Sequence, residues 1–159
     1  MERNQGNDPR SSAAFEEAKL RRADLHASLI ALEEAISSPA SGRLEQWTAD
    51  VTKRLGQLLQ TIDEHIEVTE RPGGLYEEIR MRAPRLSGSI DRLHDEHPLV
   101  RETTRDLVRK FESTPIGEDW ELRDARDEVQ RLLGKLVRHR QDGADLVWEA
   151  YNLDIGGHE

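Results

Sequence analysis

Six histidines, His26, His65, His94, His97, His139 and His158, stand in a chain of 159 residues that contains no cysteine. Imidazole is a base near neutrality and a ligand for first-row metals. Three of the six fall where apolar residues would otherwise recur by threes and fours. His65 continues the track Leu44, Trp47, Val51, Leu55, Leu58, Ile62 and is followed by Thr69; His97 sits in Leu86, Ile90, Leu93, His97, Val100, Thr104, Leu107, Phe111; His139 sits in Ala125, Val129, Leu132, Leu136, His139, Gly143, Leu146, Ala150. That period marks the buried seam of a helix, so all three should point inward. A buried imidazole needs a partner for each ring nitrogen, and in a helical core the partner is a carboxylate, a backbone carbonyl or a metal ion.

The elements that must carry these side chains follow from the same periodicity. Met1 to Ser12 is polar and rich in turn formers and reads as a disordered arm ending in an N-cap at Ser11 or Ser12. A first helix spans about Ala13 to Ser37 on the track Ala18, Arg22, Leu25, Leu29, Leu32, Ile36, with His26 and Ile30 at its edge. Ser-Ser-Pro-Ala-Ser-Gly ends it. A second helix runs from about Arg43 to Arg71 and stops at Pro72-Gly73-Gly74, and a short helix over Leu75 to Met81 connects it onward. The third helix runs from near Pro84 to Ser113, with Pro98 inside it freeing or lengthening the bond to the carbonyl of His94. After Thr114-Pro115-Ile116-Gly117 a fourth helix runs from about Glu118 to Tyr151. Four long helices with short links predict an all-α, antiparallel up-down-up-down four-helix bundle over residues 13–152, with a flexible tail over 153–159.

Composition agrees. Apolar and charged residues each make up 35% of the chain and aromatics 4%, which suits narrow buried stripes and broad solvated faces. Trp47, Trp120, Trp148 and Tyr151 are read as packing or boundary residues whose polar tips reach water. A formal net charge of -9 argues against a nucleic-acid partner, whose binding requires clustered Lys and Arg. No apolar run approaches the ~20 residues of a membrane-spanning helix, and a cytoplasmic protein is the default expectation. Without thiolates, any metal must be held by His, Asp and Glu, which favours iron, manganese or zinc over copper(I) or iron–sulfur clusters. One inward histidine per helix is how a bundle builds such a site from facing side chains.

With Leu25-His26 in the first helix, His65-Ile-Glu-Val-Thr-Glu70 in the second, Asp95-Glu-His97-Pro-Leu-Val-Arg-Glu102 in the third and His139-Arg-Gln-Asp142 in the fourth, the chain resembles the hemerythrin-like, or HHE cation-binding, domain. The resemblance covers nearly all of the chain after the arm. It implies an antiparallel bundle around a non-haem di-iron centre held by histidines and two bridging carboxylates, binding or reacting with O2, peroxide or NO. His26, His65, His97 and His139 are the ligands it suggests. The chain departs from the family where carboxylates are due. Thr69 stands four residues after His65, with Glu70 one further on; Gly143 and Ala144 stand where the fourth helix should carry an acid, flanked by Asp142 and Asp145; Leu93 replaces a second histidine on the third helix, with His94 beside it. One residue turns a side chain by ~100° about a helix.

Counting residues from the links gives a second expectation. At ~1.5 Å per residue His26 and His139 share a level, whereas His65 lies about ten residues, ~15 Å, beyond His26. Glu16 or Glu17, Asp91 or His94, and Asp145 or Glu149 are then expected level with His65. The ligand candidates are therefore His26, His65, Glu70, His97, His139, Asp142 and Asp145, with His94 and Glu149 as reserves. Two functional classes follow: a monomeric or homodimeric protein with one or two non-haem metal ions, iron first and manganese or zinc next, that binds, senses or oxidises through O2, peroxide or NO; or a metal-free bundle serving as an interaction module.

Overall fold

A computed structural model describes residues 12–153. The expected arm, apart from Ser12, and the expected tail, apart from the backbone of Leu153, lie outside the described residues. Helix α1 covers Ala13–Ser37, α2 Leu44–Glu70, the short α3 Leu75–Arg82, α4 Ser87–Ser113 and α5 Leu122–Trp148. A 3-10 turn, Pro84–Leu86, leads into α4, and a π-helical turn, Glu149–Leu153, continues α5. The four long helices form an antiparallel bundle in which α1 packs on α2, α2 on α4, α4 on α5 and α5 on α1. Among the described residues no helix is long and apolar enough to cross a membrane.

Local chemistry sets the helix ends. Ser12 caps α1, its hydroxyl accepting from the backbone N–H of Phe15 at 3.1 Å. At the end of α2, Gly73 takes a φ of 74°, which glycine adopts without steric cost. Gly74 is needed for a different reason: a Cβ there would lie 2.7 Å from the carbonyl oxygen of Val68 and 2.8 Å from that of Arg71. The fourth long helix starts at Leu122, not Glu118, because the preceding residues close a tight turn. In it the Gly117 N–H donates to the Trp120 carbonyl at 2.8 Å while Trp120 is buried edge-on against Phe111. Pro98 lies on the exposed face of α4, which runs unbroken from Ser87 to Ser113.

The seam positions are buried as their spacing requires, but they form two apolar clusters rather than one. The larger holds Leu25, Leu29, Leu32, Leu55, Leu58, Ile62, Val100, Leu107, Leu132 and Leu136, among others. The smaller holds Ala18, Leu75, Tyr76, Ile79, Ile90, Leu93, Leu146 and Tyr151, at the end of the bundle that α3 closes. The aromatic residues differ from expectation. Trp47 is wholly buried and its indole Nε1 has no hydrogen-bond partner, while Tyr151 is wholly buried and donates to Glu78. Trp148 is exposed.

The close approach at Gly74 makes the α2–α3 link sensitive to one methyl group. Gly74→Ala should lower the unfolding free energy by about 1–3 kcal/mol in urea titrations. Gly134→Ala, inside α5 with nothing within 4 Å of the added carbon, should raise it by about 0.5–1 kcal/mol. A Gly74→Ala protein as stable as its parent would show that the link yields freely.

Candidate metal centre

Between the two apolar clusters each long helix contributes one ionisable residue to the seam. The sequence brackets them: Arg22 between Ala18 and Leu25, His65 between Ile62 and Thr69, His97 between Leu93 and Val100, His139 between Leu136 and Leu146. The three histidines are 9%, 1% and 3% exposed. Their ring centroids lie 5.2 Å apart for His65 and His97, 5.5 Å for His65 and His139, and 4.9 Å for His97 and His139. One nitrogen from each can be chosen so that all three fall within 4.8 Å of one another.

Carboxylates hold two of the rings. His97 Nδ1 bonds Glu70 Oε2 at 2.5 Å, and His139 Nδ1 bonds Glu96 Oε1 at 2.8 Å. A carboxylate can only accept, so each Nδ1 carries a proton, and a neutral ring held this way keeps its lone pair on Nε2. The Tyr76 hydroxyl lies 3.3 Å from His97 Nε2, with its ring stacked on the imidazole. Neither ring nitrogen of His65 has a hydrogen-bond partner. Burial, and then the neighbouring His97, His139 and Arg22, push the His65 pKa down from 6.5 to about 3. Burial, followed by His139 and His94, pushes His97 down to about 3 as well. At neutral pH both are uncharged bases, the form in which imidazole ligates a metal. Burial also raises the Tyr76 pKa, so its phenol stays protonated.

A cavity of about 20 Å³ adjoins the triad, lined by His65 and His139, by Arg22 and Arg140, and by the Thr69 and Tyr76 side chains among others. That is room for about one water-sized molecule.

Of the residues nominated from sequence, His65, His97 and His139 converge and Glu70 joins them through His97. His26 does not: it is exposed on α1, one position past the inward stripe, and Arg22 occupies the first-helix place in the layer. His94 is exposed and bonds Glu70 at 3.0 Å. Asp142 and Asp145 are exposed and, with Glu149, line a surface groove between α4 and α5 rather than the triad. The residue count from the links misplaced His65. Arg21 pairs with Glu64 at 3.7 Å and Arg71 with Glu17, which sets His65 beside Arg22, while Glu96 with His139 sets α4 and α5. These pairs set the register of α1 on α2, and a count from the midpoint of the link over residues 38–43 does not reproduce it. Glu96, Tyr76, Arg22 and Arg140 were not nominated. Arg22 carried a signal, a charged residue in an apolar track; Glu96 carried none, since its role depends on the pairing of α4 with α5.

Comparison with known proteins gives no family model, no curated protein and no solved structure that matches the chain. The class is therefore defined by fold and site alone: an all-α four-helix bundle with a buried triad of histidines in its core.

Holding His65 and His97 neutral fixes how stability depends on pH. Below pH 6.5 the unfolded chain takes up protons that folded His65 and His97 refuse until about pH 3, so stability should fall as pH drops through that window. The slope should approach about 1.4 kcal/mol per pH unit for each of the two histidines. Denaturant unfolding at pH 7, 6, 5 and 4 measures it, and His65→Leu should remove one proton's share. A slope identical in His65→Leu would mean that His65 is not held neutral.

Proposed function

We propose that this protein is a metal-binding bundle in which His65, His97 and His139 hold one non-haem metal ion. The motif resemblance puts iron first and manganese or zinc next. The observation that carries the reading is His65, a buried imidazole with both nitrogens unpartnered and the donors of two further histidines within 4.8 Å. An unsatisfied buried polar group costs about 1–3 kcal/mol, and a bound cation removes that cost. Metal–imidazole bonds of ~2.0–2.1 Å set nitrogens ~3.4 Å apart in a tetrahedral site, so the triad needs to contract by roughly 1 Å.

The surroundings suit a cation. Glu70 and Glu96 fix the tautomers of His97 and His139 and raise the basicity of their Nε2 atoms, the carboxylate–histidine arrangement found behind metal ligands. His97 Nε2, now 3.3 Å from the Tyr76 hydroxyl, would hold the ion in place of that contact. Three protein donors leave coordination positions open, and the adjoining cavity has the size of a diatomic molecule, which supports O2, peroxide or NO as the exogenous ligand. The donors brought together suit one metal rather than two. A bridged pair requires Glu70 and Glu96 to leave the Nδ1 atoms they now hold.

Metal content per chain after anaerobic iron loading tests the reading. About one ion per chain is expected, lost in His65→Ala, His97→Ala and His139→Ala while far-ultraviolet helicity is kept. Glu70→Gln should weaken affinity by about 10–100-fold. Two ions per chain would establish a bridged pair. No bound metal, or full occupancy in all three alanine variants, would overturn the assignment and leave the interaction module as the better account.

A further inference from the structure

The two carboxylates that touch the triad, Glu70 and Glu96, are engaged by the Nδ1 atoms of His97 and His139. A neutral imidazole brings no negative charge, and a cation held in a buried core is costly unless an anion pairs with it. An anionic donor facing the Nε2 side lowers that cost directly. Among the described residues that line the cavity beside the triad, Tyr76 alone has a side chain able to become an anion. Thr69 also brings a hydroxyl there, but it donates to the backbone carbonyls of His65 at 2.8 Å and Ile66 at 3.2 Å.

The placement of Tyr76 is that of a ligand. The residue is 6% exposed, and its ring lies nearly parallel to that of His97, at an interplanar angle of 16° and a centroid distance of 5.8 Å. Its hydroxyl oxygen stands 3.3 Å from His97 Nε2. That separation is long for a hydrogen bond and matches the roughly 3.4 Å between neighbouring donors around a tetrahedral ion with bonds of ~2.0–2.1 Å. His65 and His139 line the same cavity as Tyr76, so the phenol adjoins all three histidines. Helix α3 holds it there. The helix is fixed at its start by the close approach of Gly74 to the carbonyls of Val68 and Arg71, in its middle by Glu78, which accepts from Ser12 and Tyr151, and at its end by Arg82, which donates to the Ala150 carbonyl at 3.0 Å.

We infer that Tyr76 is a fourth protein ligand, through its phenolate oxygen, of the ion held by His65, His97 and His139. The inference rests on the metal-binding reading above and completes its donor set. As the oxygen–metal bond forms, the phenol O–H bond breaks, its electron pair stays on oxygen and the proton passes to solvent water. No oxidation state changes in that exchange. His97 and Tyr76 then share the ion in place of their present contact.

The colour and vibrational spectrum of the iron-loaded full chain test the inference. A phenolate bound to ferric iron gives a broad charge-transfer band in the visible, and resonance Raman excitation within that band enhances phenolate ring modes; histidine ligands alone give neither. The chain loaded anaerobically with ferrous iron and then oxidised in air should show both signatures, and Tyr76→Phe should lose both. The sequence holds only two tyrosines, so Tyr151→Phe, which keeps Tyr76, should retain them. Iron bound by the parent without the band and the ring modes overturns the assignment of Tyr76 and leaves the histidine site standing. A band with ring modes that persists in Tyr76→Phe overturns it as well, and a parent that binds no iron removes both readings together. If Tyr76→Phe fails to fold, Tyr151→Phe produced with ring-deuterated tyrosine decides instead: enhanced modes that do not shift with the label overturn the inference.

Discussion

A layer of ionisable side chains lies across the middle of an apolar core, and the rest of the bundle is arranged around the need to satisfy it. Each polar atom taken from water without a partner costs free energy, and a charge costs far more. His65 and His97 meet this by staying neutral. Two of the triad also receive carboxylates from the rim, so that His97 and His139 are held in one tautomer and one orientation. His65 receives none. The layer is thus complete on the α4 side and incomplete on the α1 side, where Arg22 and Arg140 add charge without a counterpart.

The small elements at one end of the bundle supply much of that arrangement. Glu70 reaches His97 because α2 ends there, and α2 ends there because Pro72, Gly73 and Gly74 cannot extend it. The sharp link lets α3 fold back over the layer, which brings Tyr76 against His97 and Ile79 into the smaller apolar cluster. Tyr151 from the π-helical turn and Ser12 at the cap of α1 both donate to Glu78 on α3, tying the start of α1 and the turn after α5 to the same helix.

The fold was legible in the sequence because each long helix carries a regular stripe, and every expected seam residue of the third helix, from Leu86 to Phe111, is buried. The inward direction of His65, His97 and His139 was legible for the same reason. Periodicity gives direction about a helix axis but not position along a neighbour. It therefore gave no means to place His65 level with His139, and it could not pair Glu96 with His139, which lie 43 residues apart in sequence. His26 shows the limit of motif resemblance: its neighbours match, yet one step of ~100° turns it to solvent and gives its place to Arg22. The start of the fourth helix was placed too early because Glu118 and Asp119 are acceptable first-turn residues, whereas burial of Trp120 decides the local backbone.

The two sides of the polar layer carry opposite charge. Arg22 projects from α1 and Glu96 from α4, which face each other across the diagonal of the bundle. Glu70 ends α2, where the helix dipole already presents its negative pole and the last turn holds no basic residue. The histidines therefore sit in a standing electric field that runs from the arginine wall toward the carboxylate rim. Around the buried rings such a field is less screened than at the half-exposed carboxylates that generate it. It favours a cation on one side of the rings and electron-rich atoms on the other, so the direction of polarisation of anything bound between them is set by the protein before it arrives.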